Sequence, residues 1–305
     1  MDVKDAFLHG ILQEEVYMAQ PSGFQSTAHP PHYVCKLQKS LYDLKQAPRA
    51  WNDRFTSFLP GLGFKASQAN PSLFVQHSSK GTVVLLLYVD DVILTGSSEL
   101  VSGVITGLTD KFDMKNLGQL NYFLGLQISY TTGGLFVSQT KYITELVAKV
   151  DFQDCKSCAT PCLPYHRLLK NDGKPFHNPE QYIGIVGALQ YLTFTRPDIA
   201  FSVNQACQFM HNPMESHVIA VKQIIRYLKG TSNFGIQFRP GPIHLQFYSD
   251  ADWVGDPNDH RSTSGFVIFL GSNPISWSSK KQHTVSKSST EAEYRALAIT
   301  IAELA

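Results

Sequence analysis

The feature that most constrains this chain is an apolar run that ends in two acids. Val83-Val84-Leu85-Leu86-Leu87-Tyr88-Val89 stands directly before Asp90-Asp91 and is followed by Val92-Ile93-Leu94. The pattern predicts a strand, a tight turn and a returning strand. Withdrawing a carboxylate from water costs on the order of several kcal/mol unless a partner compensates. A divalent cation such as Mg²⁺, which prefers hard oxygen ligands, is one compensation. A solvated hairpin turn, where Asp is common, is the other reading of the same residues.

The 305 residues are enough for two or three domains at about 150 residues each. Apolar residues form 43% of the chain and charged residues 17%, which supports a sizeable core and argues against disorder. The net charge of +1 gives no overall field for a polyanion, so any nucleic-acid surface must be local. No apolar run reaches transmembrane length, and Met1-Asp2-Val3-Lys4-Asp5 lacks the features of a signal peptide. Five cysteines exclude a fully paired disulfide framework and fit reduced thiols in an intracellular setting. Cys155, Cys158, Cys162 and His166 are spaced somewhat like a zinc cluster, but Pro161 and Pro164 interrupt them, and thiols in a linker are the simpler reading.

Proline and glycine divide the chain into zones of residues 1–150, 151–242 and 243–305. In the first, Ala47-Pro48-Arg49-Ala50-Trp51 opens a helix, and residues 117–128 form a turn and a strand pair. In the second, helices span Gln181–Phe194 and Val218–Lys229, and Arg196-Pro197-Asp198 breaks the first of them. In the third, strands at 245–250, 265–270 and 275–278 precede a helix starting near Ser289, with Tyr294, Leu297, Ala298, Ile301 and Leu304 as its apolar stripe. The fold class is α/β (α+β).

Further acids stand at Asp2 and Asp5, at Asp250 and Asp252 after an alternating strand, and at Glu291 and Glu293 on the last helix. Acids at a helix N-terminus complement its dipole, so the last pair also has a routine explanation. Residues 36–65 carry six Lys and Arg against Asp43 and Asp53, with aromatic residues interleaved. Such a surface can track phosphates and stack on bases. Trp51, Phe55 and Phe58 read better as core residues, which leaves Lys45 and Arg49 as the candidate contacts.

Tyr88-Val89-Asp90-Asp91 resembles the metal-binding hairpin of a reverse transcriptase. The resemblance sharpens to the copia-type LTR retrotransposon Pol polyproteins. Asp2-Val3-Lys4-Asp5-Ala6-Phe7-Leu8-His9-Gly10 is similar to their first catalytic motif and Ser40–Trp51 to their second. Asn121–Leu126 is similar to the strand pair that grips the primer. Residues 187–192 and 195–200 resemble the connecting region, and residues 248–253, 276–282 and 291–297 the ribonuclease H domain. The resemblance implies a reverse transcriptase palm and thumb-like region over 1–150, a helical connection over 151–242 and a partial ribonuclease H-like domain over 243–305.

It further implies that Asp2, Asp90 and Asp91 hold two Mg²⁺ ions for polymerisation, and that Asp250 and Glu293 bind metal for hybrid cleavage. Phe7 would exclude a ribose 2′-hydroxyl, with Gln46 and Tyr88 beside the nucleotide. Lys45, Arg49, Phe123 and Gly125 would contact nucleic acid. The implied partners are an RNA template, a DNA primer, an RNA–DNA hybrid and deoxynucleoside triphosphates, with no membrane. The implied location is cytoplasmic, in a virus-like particle, with nuclear entry left open. The chain starts at the first catalytic Asp and stops in the first ribonuclease H helix, so the expectation is a truncated, inactive copy, with a non-catalytic nucleic-acid-binding remnant as the alternative. Asp43 occupies a position that is usually Gly in the family.

Overall fold

The computed structural model describes residues 1–25, 28, 30, 32–163 and 167–304. It contains two compact units, residues 1–120 and 121–305.

In the first unit, β1 (Asp2–Val3), a 3-10 turn (Ala6–His9), β2 (Ile11–Ala19) and β3 (Val34–Lys39) lead to helix α1 (Ala47–Thr56). Then come β4 (Lys65–Ala66), β5 (Leu73–Ser78), β6 (Gly81–Tyr88), β7 (Asp91–Thr95), α2 (Ser98–Thr109) and β8 (Met114–Lys115). Six strands form an antiparallel sheet in the order β4-β5-β6-β7-β1-β8, while β2 and β3 pair apart from it. The β-rich run is therefore a central strand, and its alternation is visible as burial of Val83, Leu85 and Leu87. These side chains pack with Trp51 and Phe55 of α1, Val104 and Leu108 of α2, and Phe112. Trp51 and Phe55 are core residues, as their helical spacing predicts.

In the second unit, β9 (Tyr122–Phe123), β10 (Leu126–Thr131) and β11 (Gly134–Ser138) precede the helices α3 (Thr140–Lys149), α4 (Pro179–Leu192), α5 (Ala200–Cys207) and α6 (Glu215–Gly230). β12 (Gly235–Phe238) returns to pair with β11. The helical core gathers Ile143, Tyr182, Val186, Leu189, Ile224 and Leu228. Pro197 separates α4 from α5, and the residues beside it do more than break a helix. Arg196, almost wholly buried, donates through Nε and Nη2 to Asp198 at 2.9 and 2.7 Å and through Nη1 to the Thr231 carbonyl at 2.9 Å. Tyr227 donates to the same carboxylate at 2.7 Å. Each nitrogen of the buried guanidinium thus has an acceptor, as its burial requires.

The chain ends with β13 (Leu245–Ala251), β14 (Thr263–Leu270) and β15 (Asn273–Lys281) in one antiparallel sheet, then α7 (Ser289–Leu304). This matches the expected three strands and a helix. The face of α7 differs from the expectation. Ala292, Ala296 and Thr300 are buried, whereas Tyr294 and Ile301 are exposed. The small residues, four apart, let the helix lie close to β13 and β14, and Gln282 donates to the Ala292 carbonyl at 3.0 Å. The larger side chains are turned outward by that close approach.

Candidate active site

The hairpin β6–β7 pairs Tyr88 with Asp91, leaving Val89 and Asp90 as its two-residue turn. Val89 has φ of +55°, a left-handed conformation in which a β-branched residue is an outlier. The turn is held on one side by Trp51, whose Nε1–H donates to the Val89 carbonyl at 2.5 Å. On the other side it is stitched to β1, because the Val3 amide donates to the Asp90 carbonyl at 2.9 Å.

β1 lies between β7 and β8, and its register sets Asp2 directly opposite both Asp91 and Lys115. Residues directly opposite on neighbouring strands share a face. Tyr88, Asp91, Asp2 and Lys115 thus form one row across four strands, and the adjacent Leu87, Val92 and Val3 point into the core. Burial, then the charges of Asp90 and Asp2, push the Asp91 carboxyl above the usual range, opposed by the Met1 α-amino group. Among the described residues no three Asp, Glu, His or Cys side chains are grouped closely enough to hold a metal ion. The donor chemistry still fits a hard divalent cation: two carboxylates in register, a third in the adjoining turn, and mutual repulsion that a cation relieves.

Phe7 sits on the 3-10 turn after β1, and its ring meets Tyr42 edge-on at 5.2 Å. Ser40, fully buried, donates its hydroxyl to the Phe7 carbonyl and so fixes that turn. Tyr42, one of the aromatic residues interleaved in 36–65, lies inside the second motif. Desolvation, then the charges of Asp5, Asp90 and Asp2, push its phenol up. Asp43 has φ of +69°, the backbone region that glycine occupies at no cost. Gln46 precedes α1 and lines a cleft of about 540 Å³ with Ile11, Glu14, Arg49 and Arg54. Arg49 is 3.9 Å from Asp53, and both are largely exposed; Lys45 is exposed as well.

In the second unit, Phe123 and Leu126 pair across a turn in which Leu124 and Gly125 both have positive φ, as a type I′ hairpin requires. Tyr191 of α4 donates to the Leu124 carbonyl, and a Cβ on Gly125 would lie 2.9 Å from the Tyr191 hydroxyl. Asp250 and Asp252 line one cavity with Phe201 and Trp277, whereas Glu293 lines another with Ser249 and Tyr294. Burial pushes the Asp252 carboxyl up. Glu291 accepts from the Lys287 amide at 2.8 Å and from Arg295 at 2.6 Å, so its oxygens are engaged at the start of α7. The Cys158 thiol donates to the Thr160 and Gln223 carbonyls, and His166 lies outside the described residues.

The family profile described as reverse transcriptase (RNA-dependent DNA polymerase) matches residues 1–164. The chain belongs to the reverse transcriptases. Its kinship within them is with the copia-type Pol polyproteins. It is 47% identical over its whole length to the retrovirus-related Pol polyprotein from transposon RE1 of Arabidopsis thaliana, and 39% identical to that from transposon TNT 1-94 of Nicotiana tabacum. It spans about a fifth of the length of these polyproteins, 21% and 24% respectively. An uncharacterized mitochondrial protein of Arabidopsis thaliana is 48% identical over 72% of this chain and 92% of its own length. The row of Asp91 and Asp2 lies within the matched residues, as do Phe7 and Gln46. Among the described residues no helix is long and apolar enough to cross a membrane.

Proposed function

We propose that residues 1–120 carry the catalytic carboxylates of RNA-directed DNA synthesis. The observation that carries this reading is the register of Asp2 against Asp91, with Asp90 in the strained turn beside them. These three residues would hold two Mg²⁺ ions, which when bound activate the primer 3′-hydroxyl and stabilise the departing pyrophosphate. Phe7, braced by Tyr42 and tied through Ser40, would bar a ribose 2′-hydroxyl and so select deoxynucleoside triphosphates. Gln46 and Tyr88 would contact the nucleotide, and Lys45 and Arg49 the template backbone. The hairpin of Phe123 and Gly125 would hold the DNA primer.

Residues 243–305 carry a partial ribonuclease H-like domain in this reading, with 151–242 as the connection. Three antiparallel strands followed by a helix support it. Asp250 and Glu293 would be its metal-binding acids on an RNA–DNA hybrid; the engagement of Glu291 favours Glu293 for the second. A cytoplasmic particle is the natural setting for such an enzyme. The competing reading, nucleic-acid binding without catalysis, draws on the exposed Lys45 and Arg49.

Primer extension on an RNA template with Mg²⁺, beside an Asp90→Asn control, tests the proposal. Extension that the control loses supports the polymerase. Extension that survives in the control overturns the assignment of Asp90. A folded protein that binds but does not extend favours the non-catalytic reading.

A further inference from the structure

The strained turn between Tyr88 and Asp91 needs something to keep it strained. A two-residue hairpin turn has a central peptide that can flip, and the flip interconverts turn types. Here that peptide joins Val89 to Asp90. Its orientation decides whether Val89 stays at positive φ, and with it where the Asp90 carboxylate points. Valine resists that conformation, because its branched Cβ crowds the backbone.

The carbonyl of this same peptide accepts the Trp51 indole N–H at 2.5 Å, across 38 residues of sequence. Trp51 itself cannot easily move. It is 1% exposed and packs against Phe55 at 5.2 Å and Phe112 at 5.5 Å between ring centres. Its backbone amide lies in the close approach between α1 and Gly10. A buried indole needs an acceptor for its N–H, and this one finds it in the turn.

We infer that Trp51 is a positioning residue: its indole N–H locks the Val89–Asp90 peptide in the left-handed turn that aims the paired acids. The residue touches no reacting atom and acts through the turn. The inference rests on the reading of Asp90 and Asp91 as the polymerase acids.

Trp51→Phe keeps an aromatic ring and removes the donor. A second variant replaces Trp51 with benzothienylalanine, which has the indole shape but sulfur in place of N–H, in case phenylalanine does not fill the site. In either variant the backbone amide resonances of Asp90 and Asp91 should move, and kcat for primer extension should fall about tenfold with little change in KM for the nucleotide. Adding Val89→Gly removes the crowding that makes the lock necessary, and should return both the amide positions and most of the lost kcat. Unmoved amides in the sulfur variant overturn the inference. So does a loss that Val89→Gly fails to restore, because a purely packing role would not respond to the turn. The amide measurement needs no turnover, so it decides the lock even if primer extension beside Asp90→Asn shows that the polymerase reading is wrong.

Discussion

Asp2 and Asp91 stand directly opposite each other across the β1–β7 pairing, two acids where a ladder ordinarily avoids like charges. They lie far apart in the first unit's sequence, and one short strand of two residues brings them together. The pairing is tied on both sides. The Val92 amide donates to the Met1 carbonyl and the Val3 amide to that of Asp90, both at 2.9 Å. Backbone hydrogen bonds therefore hold the two carboxylates near each other against their repulsion.

That repulsion predicts a stability cost at neutral pH. The Asp91 carboxyl is raised by burial and by Asp90 and Asp2. A raised carboxyl favours the folded state below its unfolded value, and the favour is lost as pH rises through the folded value. Metal-free Asp91→Asn should therefore melt higher than the parent at pH 7, with the gap closing in acid. Carbon-13 titration of the Asp91 carboxyl should show its midpoint above the ordinary value. A midpoint at or below that value would contradict the geometry.

Asp43 holds the left-handed backbone at φ of +69° without the freedom of glycine. Asp43→Gly should raise stability by about 0.5–1 kcal/mol, read as a higher urea midpoint. Asp43→Ala, which keeps a Cβ, should give no such gain. Equal midpoints for the glycine and alanine variants would mean the backbone there is not strained.

Gly10 is required for a different reason. A Cβ at this position would lie 2.5 Å from the Ser40 hydroxyl oxygen, 2.9 Å from the Trp51 amide nitrogen and 3.0 Å from the Ala50 carbonyl carbon. The backbone of α1 cannot yield cheaply, so Gly10→Ala should cost about 1–3 kcal/mol. Because Ser40 also holds Phe7, the variant should discriminate less between ribo- and deoxynucleotides in any extension assay. An unchanged melting temperature would show that the contact relaxes freely.

Arg196→Ala should be the most destabilising of these changes, by about 3–5 kcal/mol, since it leaves the Asp198 carboxylate without its guanidinium. Burial raises the Asp198 carboxyl, but hydrogen bonds from Arg196 and Tyr227 outweigh it and hold it below the usual range. Its contribution is therefore present above the unfolded value and lost as pH falls through the depressed folded value. Asp198→Asn should flatten that acid-side loss of stability. An acid limb identical to the parent's would place the loss elsewhere.

Much of the fold could be read from local pattern. Residues 83–94 spell a hairpin because an apolar run, two acids and a second apolar run leave few alternatives, and β13 to α7 follow from apolar alternation and a change to helical spacing. What escaped was non-local. Val89 gives no hint of a left-handed turn, because valine disfavours one; the donor that holds it is 38 residues away. Arg196-Pro197-Asp198 looks like a helix break, and its partners Tyr227 and Thr231 appear only when α6 packs beside it. On α7 the large apolar residues suggest a core stripe, whereas close packing on a sheet selects Ala292 and Ala296. The pairing of β11 with β12, about a hundred residues later, was equally hidden.

In the proposed polymerase, Asp2 and Asp91 face each other in order to hold a divalent cation. Calorimetric titration of Mg²⁺ into the chain, beside Asp2→Asn and Asp91→Asn, tests it without requiring turnover. The parent should bind Mg²⁺, and each substitution should weaken binding by about tenfold or more. Mg²⁺ binding left unchanged by both substitutions would contradict it.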